Sequence, residues 1–357
     1  MERNFNNINI NKRLIEEINK IAKNKINIME VCGTHTRSIH KYGINKVLNS
    51  NINFISGPGC PICVTTEGFI DNAIEACNIE NTIILTFGDM IRVPGRESTL
   101  LREREKGRDI RVITSPMQCV DIAKNNNSKK IIFIAVGFET TIPTIAMMIK
   151  KASLQNIKNL FMLYELKTMP GVIKSILDDD EVKIDGLLAP GHVATIIGEE
   201  DFNNIYKQYE KGVVISGFNC TEILSSILSL VQMKENKHYE FKNLYKSVIR
   251  KNGNEIAKDV IDEVFVSCDG NWRGIGKICG TAYKLREKYR EFDAYKYFNL
   301  KDNNDFKNTG CICGDVLKGK KRPYDCMLFN NTCKKESPKG PCMVSFEGAC
   351  AIMLEYK

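Results

Sequence analysis

The chain has 357 residues, 43% of them hydrophobic and 26% charged, with a formal net charge of +8. That length suits two or three cores of ordinary size and excludes a small stapled scaffold. The longest apolar stretches, such as Ile131 to Val136, are far too short to span a bilayer, which argues against a membrane protein. Basic residues are mostly interleaved with acidic ones. The one compact basic run, Lys318 to Arg322, reads as a solvated loop, so nucleic-acid binding has little support. The segment Met1 to Lys12 is polar and Asn-rich without an apolar core, so nothing marks it for secretion and a cytoplasmic location is expected. Fourteen cysteines in a reducing compartment point to metal binding or thiol chemistry rather than a disulfide framework, and six of them follow residue 310.

Short β-branched runs recur along the chain: Ile26 to Val31, Ile52 to Ser56, Thr82 to Phe87, Arg111 to Thr114, Lys130 to Val136, Leu160 to Tyr164, Gly186 to Leu188 and Val213 to Ile215. Each is followed by a turn and a helical pattern, which predicts parallel sheets covered on both faces. Eight strands fit either one barrel or two open sheets. The polar stretch Lys124 to Lys130 reads as a linker and favours two α/β domains, 1–125 and 126–235. A helix over Glu222 to Lys234 then leads into a third, 236–357, where the strand signal fades from Phe241 and a helical pattern gives way to a tail rich in Cys, Gly and Pro.

In open α/β sheets ligands sit beyond the carboxyl ends of the strands. The Gly-bearing turns at those ends are Cys32-Gly-Thr-His35, Gly57-Pro-Gly-Cys-Pro-Ile-Cys63, Gly88-Asp89, Gly137-Phe-Glu-Thr-Thr141, Pro190-Gly-His192 and Ser216-Gly-Phe218. No Walker A pattern occurs, and Gly274-x-Gly276-x-x-x-Gly280 has the wrong spacing for a dinucleotide fold.

Cys60-Pro-Ile-Cys63 lies in a turn ahead of a helix expected over Thr65 to Ala76, where the helix N-terminus lowers a thiol pKa and makes a nucleophile or soft metal ligand. Cys32 with His35 three residues on suits either a Cys/His nucleophile pair or thiolate ligation of a transition metal with His behind it. Cys77, Cys119, Cys220, Cys268 and Cys279 stand singly and read as packing residues. In the tail, Cys311, Cys313, Cys326, Cys333, Cys342 and Cys350 lie among few large hydrophobes, so something other than an apolar core must hold the segment. Four thiolates suit tetrahedral zinc or a [4Fe–4S] cluster, and a cluster plus a leftover redox pair uses all six.

Six segments together resemble the HypD family of hydrogenase maturation proteins: Met29-Glu-Val-Cys-Gly-Thr-His-Thr36, Gly57 to Cys63, Phe87-Gly-Asp-Met-Ile-Arg-Val-Pro-Gly95, Gly137 to Thr141, Trp272-Arg-Gly-Ile-Gly276 and Gly340-Pro-Cys-Met-Val-Ser-Phe-Glu-Gly-Ala-Cys350. The resemblance runs from about residue 26 to the end. It implies two Rossmann-like parallel-sheet domains and a mainly helical, Cys-rich C-terminal [4Fe–4S] domain, which together form a scaffold for the Fe(CN)2CO unit of [NiFe]-hydrogenase. The iron-site cysteine of the family falls on Cys32, with His35 beside it, and the CxxC thiols fall on Cys60 and Cys63. These three cysteines are the expected ligands of the assembling iron. The cluster pattern falls on Cys311, Cys326, Cys333 and Cys350, leaving Cys313 and Cys342 as a redox pair.

The implied partners are a small HypC-type chaperone that shares the iron and a HypE-type cyanide donor, with this chain expected to be monomeric outside the complex. Glu139, Thr140, Thr141 and His192 are candidates to bond cyanide or to position a docked partner tail, with local turn capping the competing role. Arg37 and Thr66 depart from the family pattern. A general thiol–disulfide or Fe–S electron-transfer oxidoreductase is the alternative function, and a zinc-bound nucleic-acid module a third.

Overall fold

The computed structural model describes residues 8–300 and 310–356; the Met1 to Asn7 part of the polar N-terminal segment lies outside the described residues. All eight expected strands form: β1 (Ile26–Glu30), β2 (Ile52–Ser56), β3 (Thr82–Thr86), β4 (Ile110–Val112), β5 (Lys130–Gly137), β6 (Leu160–Lys167), β7 (Gly186–Pro190) and β8 (Gly212–Ser216). They read clearly because several are buried on both faces: β5 is buried from Ile131 to Gly137, and β7 and β8 throughout. Three more follow, β9 (Phe241–Asn243), β10 (Phe265–Trp272) and β11 (Gly276–Leu285).

The strands make two sheets, ordered β2-β1-β7-β8-β9 and β10-β11-β6-β5-β3-β4. The first is parallel throughout, with Ile28 of β1 opposite Phe54 on one side and Gly186 on the other. In the second, β4, β3, β5 and β6 are parallel, and the β10–β11 hairpin adds antiparallel to β6.

The expected division at 125/126 therefore does not separate the sheets. The chain starts the first sheet with β1 and β2, builds the second with β3 to β6, returns to the first with β7 to β9, and ends in the second with the hairpin. Lys124 to Lys130 joins the helix Gln118–Asn125 to β5 inside one sheet and is no interdomain linker. Nor does the helix Cys220–Asn236, fixed at its start by the Asn219–Glu222 capping box, lead into a separate third domain. Its Leu224 and Ile227 pack with Ile18 of the helix Ile8–Ile21, and the chain then supplies β9 to the same sheet.

The 236–357 segment is not mainly helical throughout, because the hairpin was hidden in the sequence. Along β10 only Phe265, Gly270 and Trp272 are buried, Ser267 and Asp269 are exposed, and a bulge between Cys268 and Gly270 breaks any period-two pattern. The tail after residue 310 is short helices and turns, yet its Cys313, Leu317 and Cys342 share one core cluster with Val31, Cys63, Phe138 and Trp272. Among the described residues no helix is long and apolar enough to cross a membrane.

Trp272 is the keystone of that shared core. It is fully buried, stacks on Phe138 at 5.9 Å, and donates from its indole nitrogen to the Thr281 hydroxyl at 2.8 Å. Trp272→Ala should lower unfolding stability by about 3–5 kcal/mol in urea titrations followed by circular dichroism. A loss below about 1 kcal/mol would show that the hairpin does not carry this core.

Candidate functional site

β1 and β2 are parallel neighbours, so the turns that follow them lie side by side. Cys32 follows β1 as the extended residue that starts the helix Gly33–Lys41. Gly59, in the turn after β2, lies against it: a Cβ there would come 1.8 Å from the Val31 carbonyl oxygen and 2.5 Å from Cys32 Cα. Only glycine permits this approach, and it seats the CxxC turn on the backbone of Cys32. Cys60 and Cys63 are buried and disulfide-bonded, with their Cα atoms 5.2 Å apart. In this oxidised form neither sulfur is a thiolate, so both must be reduced before either can ligate iron. Cys32 is a free thiol, pushed up to about 11 by burial and then by the Glu347 charge, against the opposing Thr34 and His35 groups.

The tail closes over this helix start. A Cβ on Gly33 would come 2.6 Å from the Glu347 carbonyl oxygen, and the Thr34 hydroxyl donates to Glu347 Oε1 at 2.7 Å. Burial raises the Glu347 carboxyl. Pro61, Ile62, Asp89, Thr140, Thr141 and Glu347 line a cavity of about 660 Å³. It lies where the second sheet reverses its winding, since the chain leaves β3 for β4 on one side and returns to β5 on the other. Open α/β folds bind ligands at such a reversal.

His35 is fully buried, with Nε2 3.0 Å from the Gly217 carbonyl oxygen. A carbonyl only accepts, so Nε2 carries the hydrogen and Nδ1 is the bare acceptor; Nδ1 has no hydrogen-bond partner. Burial lowers His35 to about 4, keeping the ring neutral above that pH. Phe218 is sandwiched between the imidazoles of His35, at 4.5 Å, and His192, at 3.8 Å. His35 thus stands beside Cys32 in the chain as a neutral ring held by a backbone carbonyl and an aromatic face.

Glu139 does not line the cavity that Thr140 and Thr141 line. Its Oε1 accepts the Met169 amide at 2.6 Å, capping the helix Met169–Leu177, while Oε2 is buried without a hydrogen-bond partner. This bond caps a helix 30 residues away rather than the local turn of Glu139, and it occupies one of the carboxylate oxygens. Of the departures from the family pattern, Arg37 pairs with Glu355 at 3.1 Å and lies 5.3 Å over Phe346, and Thr66 caps the helix Glu67–Ala76.

All six tail cysteines line one cavity. Cys313 contacts both Cys311 and Cys342, and Cys333 Sγ accepts the Lys339 amide at 3.2 Å. Gly340 leaves room, since a Cβ there would come 2.6 Å from Cys311 Sγ. The Cys311 thiol is pushed up by its contact with Cys313 and then by burial, and Cys350 by burial and its neighbouring thiols. Among the described residues no three His, Cys, Asp or Glu side chains close into a ready-made metal site. The donor set nevertheless suits a soft metal group, because crowded buried thiols lose their protons only against a compensating cation.

The sequence singled out the thiols but gave no role of their own to Glu347, Asp89, Glu67 and Arg273. All but Glu67 stand inside the quoted motifs, where the glycines and cysteines drew the attention. Cys279 is exposed, not a packing residue, whereas Cys77 and Cys119 are buried as expected.

Burial raises Glu139 from 4.5 to about 7. A carboxyl raised on folding stabilises the fold below its unfolded value and loses that contribution as pH rises through the folded one. The contribution of Glu139 should therefore fall between pH 4.5 and 7, and Glu139→Gln should remove that downward component from urea midpoints measured against pH. An unchanged slope would remove Glu139 as the cause.

A family model described as the hydrogenase formation hypA family, HypD, matches residues 9–357. The hydrogenase maturation factor HypD of Escherichia coli (strain K12) is 38% identical over 337 residues, covering 94% of this chain and 90% of that protein. Those of Rhodobacter capsulatus and Cupriavidus necator are 35% and 36% identical, covering 96% and 93% of this chain and 93% and 90% of their own lengths. Carrying the six motifs, and matched over nearly its whole length, the chain belongs to the HypD family of hydrogenase maturation factors.

Proposed function

We propose that this protein is the scaffold and redox partner on which the Fe(CN)2CO unit of [NiFe]-hydrogenase is assembled. The observation that carries this reading is the contact of the CxxC turn with Cys32 through Gly59, which sets a free soft-ligand thiol beside a two-electron dithiol/disulfide couple. The iron is cargo. Cys32 supplies one thiolate to it, a HypC-type partner supplies another, and a HypE-type partner brings cyanide as a thiocyanate on its own thiol.

Release of that cyanide breaks a sulfur–carbon bond and takes two electrons. A Cys60/Cys63 dithiol meets the need: dithiol plus RSCN gives disulfide, RSH and HCN, with the two thiol hydrogens carried onto the products. In that cycle a Cys60–Cys63 disulfide would be the spent form. His35, neutral and with its Nδ1 unpartnered, stands three residues along the chain from Cys32, whose burial disfavours the thiolate until iron binds. The cavity beyond Pro61 and Ile62, lined by Thr140 and Thr141, suits a docked partner tail.

Cys311, Cys326, Cys333 and Cys350 would hold a [4Fe–4S] cluster, with Cys313 and Cys342 left as the contacting pair beside it. Such a cluster supplies single electrons when bound.

Cys32→Ser should keep the fold but abolish the cyanide and carbonyl infrared bands of the anaerobic complex with the small partner, because a serine hydroxyl is a harder and far less acidic ligand. Bands of wild-type intensity would move iron binding to Cys60 and Cys63. A wild-type complex that carries a cluster but no such bands would favour the electron-transfer reading.

A further inference from the structure

The turn between β10 and β11 holds a buried cation to which the proposed function gives no role. Arg273 is 4% exposed. Its backbone amide donates to the Val64 carbonyl at 3.0 Å and its Nη2 donates to Glu67 Oε1 at 2.6 Å, which ties it to the residues just after the CxxC motif. Its Nη1 is buried with no hydrogen-bond partner. On the other side, Gly274 lies against Gly314, next to Cys313, where a Cβ would come 2.6 Å from Gly274 Cα. Cys313 shares its cavity with Cys311 and Cys342, and the Arg273 charge acts on all three thiols in the lowering direction, against the burial that raises them. An unpaired amino group on a buried guanidinium is costly, and its position beside a thiol cavity supplies a reason to keep it.

We infer that Arg273 is the counter-charge of the cysteine cavity and sets how readily a metal group held there accepts an electron. This rests on the reading that Cys311, Cys326, Cys333 and Cys350 hold a [4Fe–4S] cluster. With four thiolates such a cluster carries a net charge of about −2 when oxidised and −3 when reduced by one electron. A fixed cation favours the more negative state, so it raises the reduction potential. In a titration the electron comes from added dithionite; no bond to Arg273 forms or breaks and no proton moves. Glu67 shares the guanidinium and offsets part of its charge, so the two residues act with opposite sign.

The test is a redox titration of the full-length, anaerobically purified protein, followed by electron paramagnetic resonance after iron and sulfide are assayed. Arg273→Met should shift the midpoint to more negative values, Arg273→Lys should restore most of it, and Glu67→Gln should shift it to more positive values. A purely structural role would not produce shifts of opposite sign. Should Arg273→Met fail to fold or load, the sign of the Glu67→Gln shift decides. Midpoints that stay put, or move together, in a wild-type-like cluster would overturn the role of Arg273 alone. A wild-type protein without iron and sulfide would instead overturn the cluster reading and this inference with it.

Discussion

The close approach of Gly59 to Val31 and Cys32 is the constraint on which the rest of the site depends. Two parallel strands bring two turns together, but only a residue without a Cβ lets the second turn rest on the backbone of the first. With Gly59 in place, the CxxC sulfurs and the Cys32 thiol are held by neighbouring strand ends rather than by loops free to wander. Gly33 repeats the device on the other side, admitting the Glu347 backbone and letting Thr34 bond its carboxylate. The nucleus of the site is thus a stack of backbones from three distant stretches of chain, fixed before any metal or partner is considered.

Interleaving of the sheets follows from the same economy. Because β1 and β2 sit in one sheet and β3 to β6 in the other, the CxxC turn bridges them, with Val64 taking hydrogen bonds from the Lys167 ammonium of β6 and the Arg273 amide of the hairpin. Each bond ties the redox turn to the second sheet. The cysteine tail, poor in large side chains, borrows its core from both: Cys313 and Cys342 pack in the cluster that holds Val31, Cys63 and Trp272. Sulfur chemistry and hydrophobic packing here use the same residues, so damage to either propagates to the other.

Much of this was legible in the sequence, and the failures have physical causes. Strands such as β5 and β8 announce themselves because sheets covered on both faces demand unbroken apolar runs. The β10–β11 hairpin did not, since a half-exposed strand carrying Asp269 and Asn271 and broken by a bulge has no clean period. Domain boundaries at 125/126 and 235/236 were misplaced for a deeper reason: sequential order says nothing about which sheet a strand joins, and the polar stretch near Lys124 is an ordinary helix-to-strand connection. Motif spacing placed the thiols correctly at strand ends and in one tail, because cysteines at turns are conspicuous. Glu139 turning away to cap Met169, and Arg273 turning inward toward the tail, depend on tertiary packing that no local pattern encodes.

The most direct measurement of the central claim is combined metal, sulfide and infrared analysis of the wild-type chain, purified anaerobically together with its small partner. The account predicts four irons with four sulfides in the tail. It also predicts a further iron showing bands in the cyanide and carbonyl stretching region. Zinc without sulfide, and an infrared spectrum empty in that region, would contradict it.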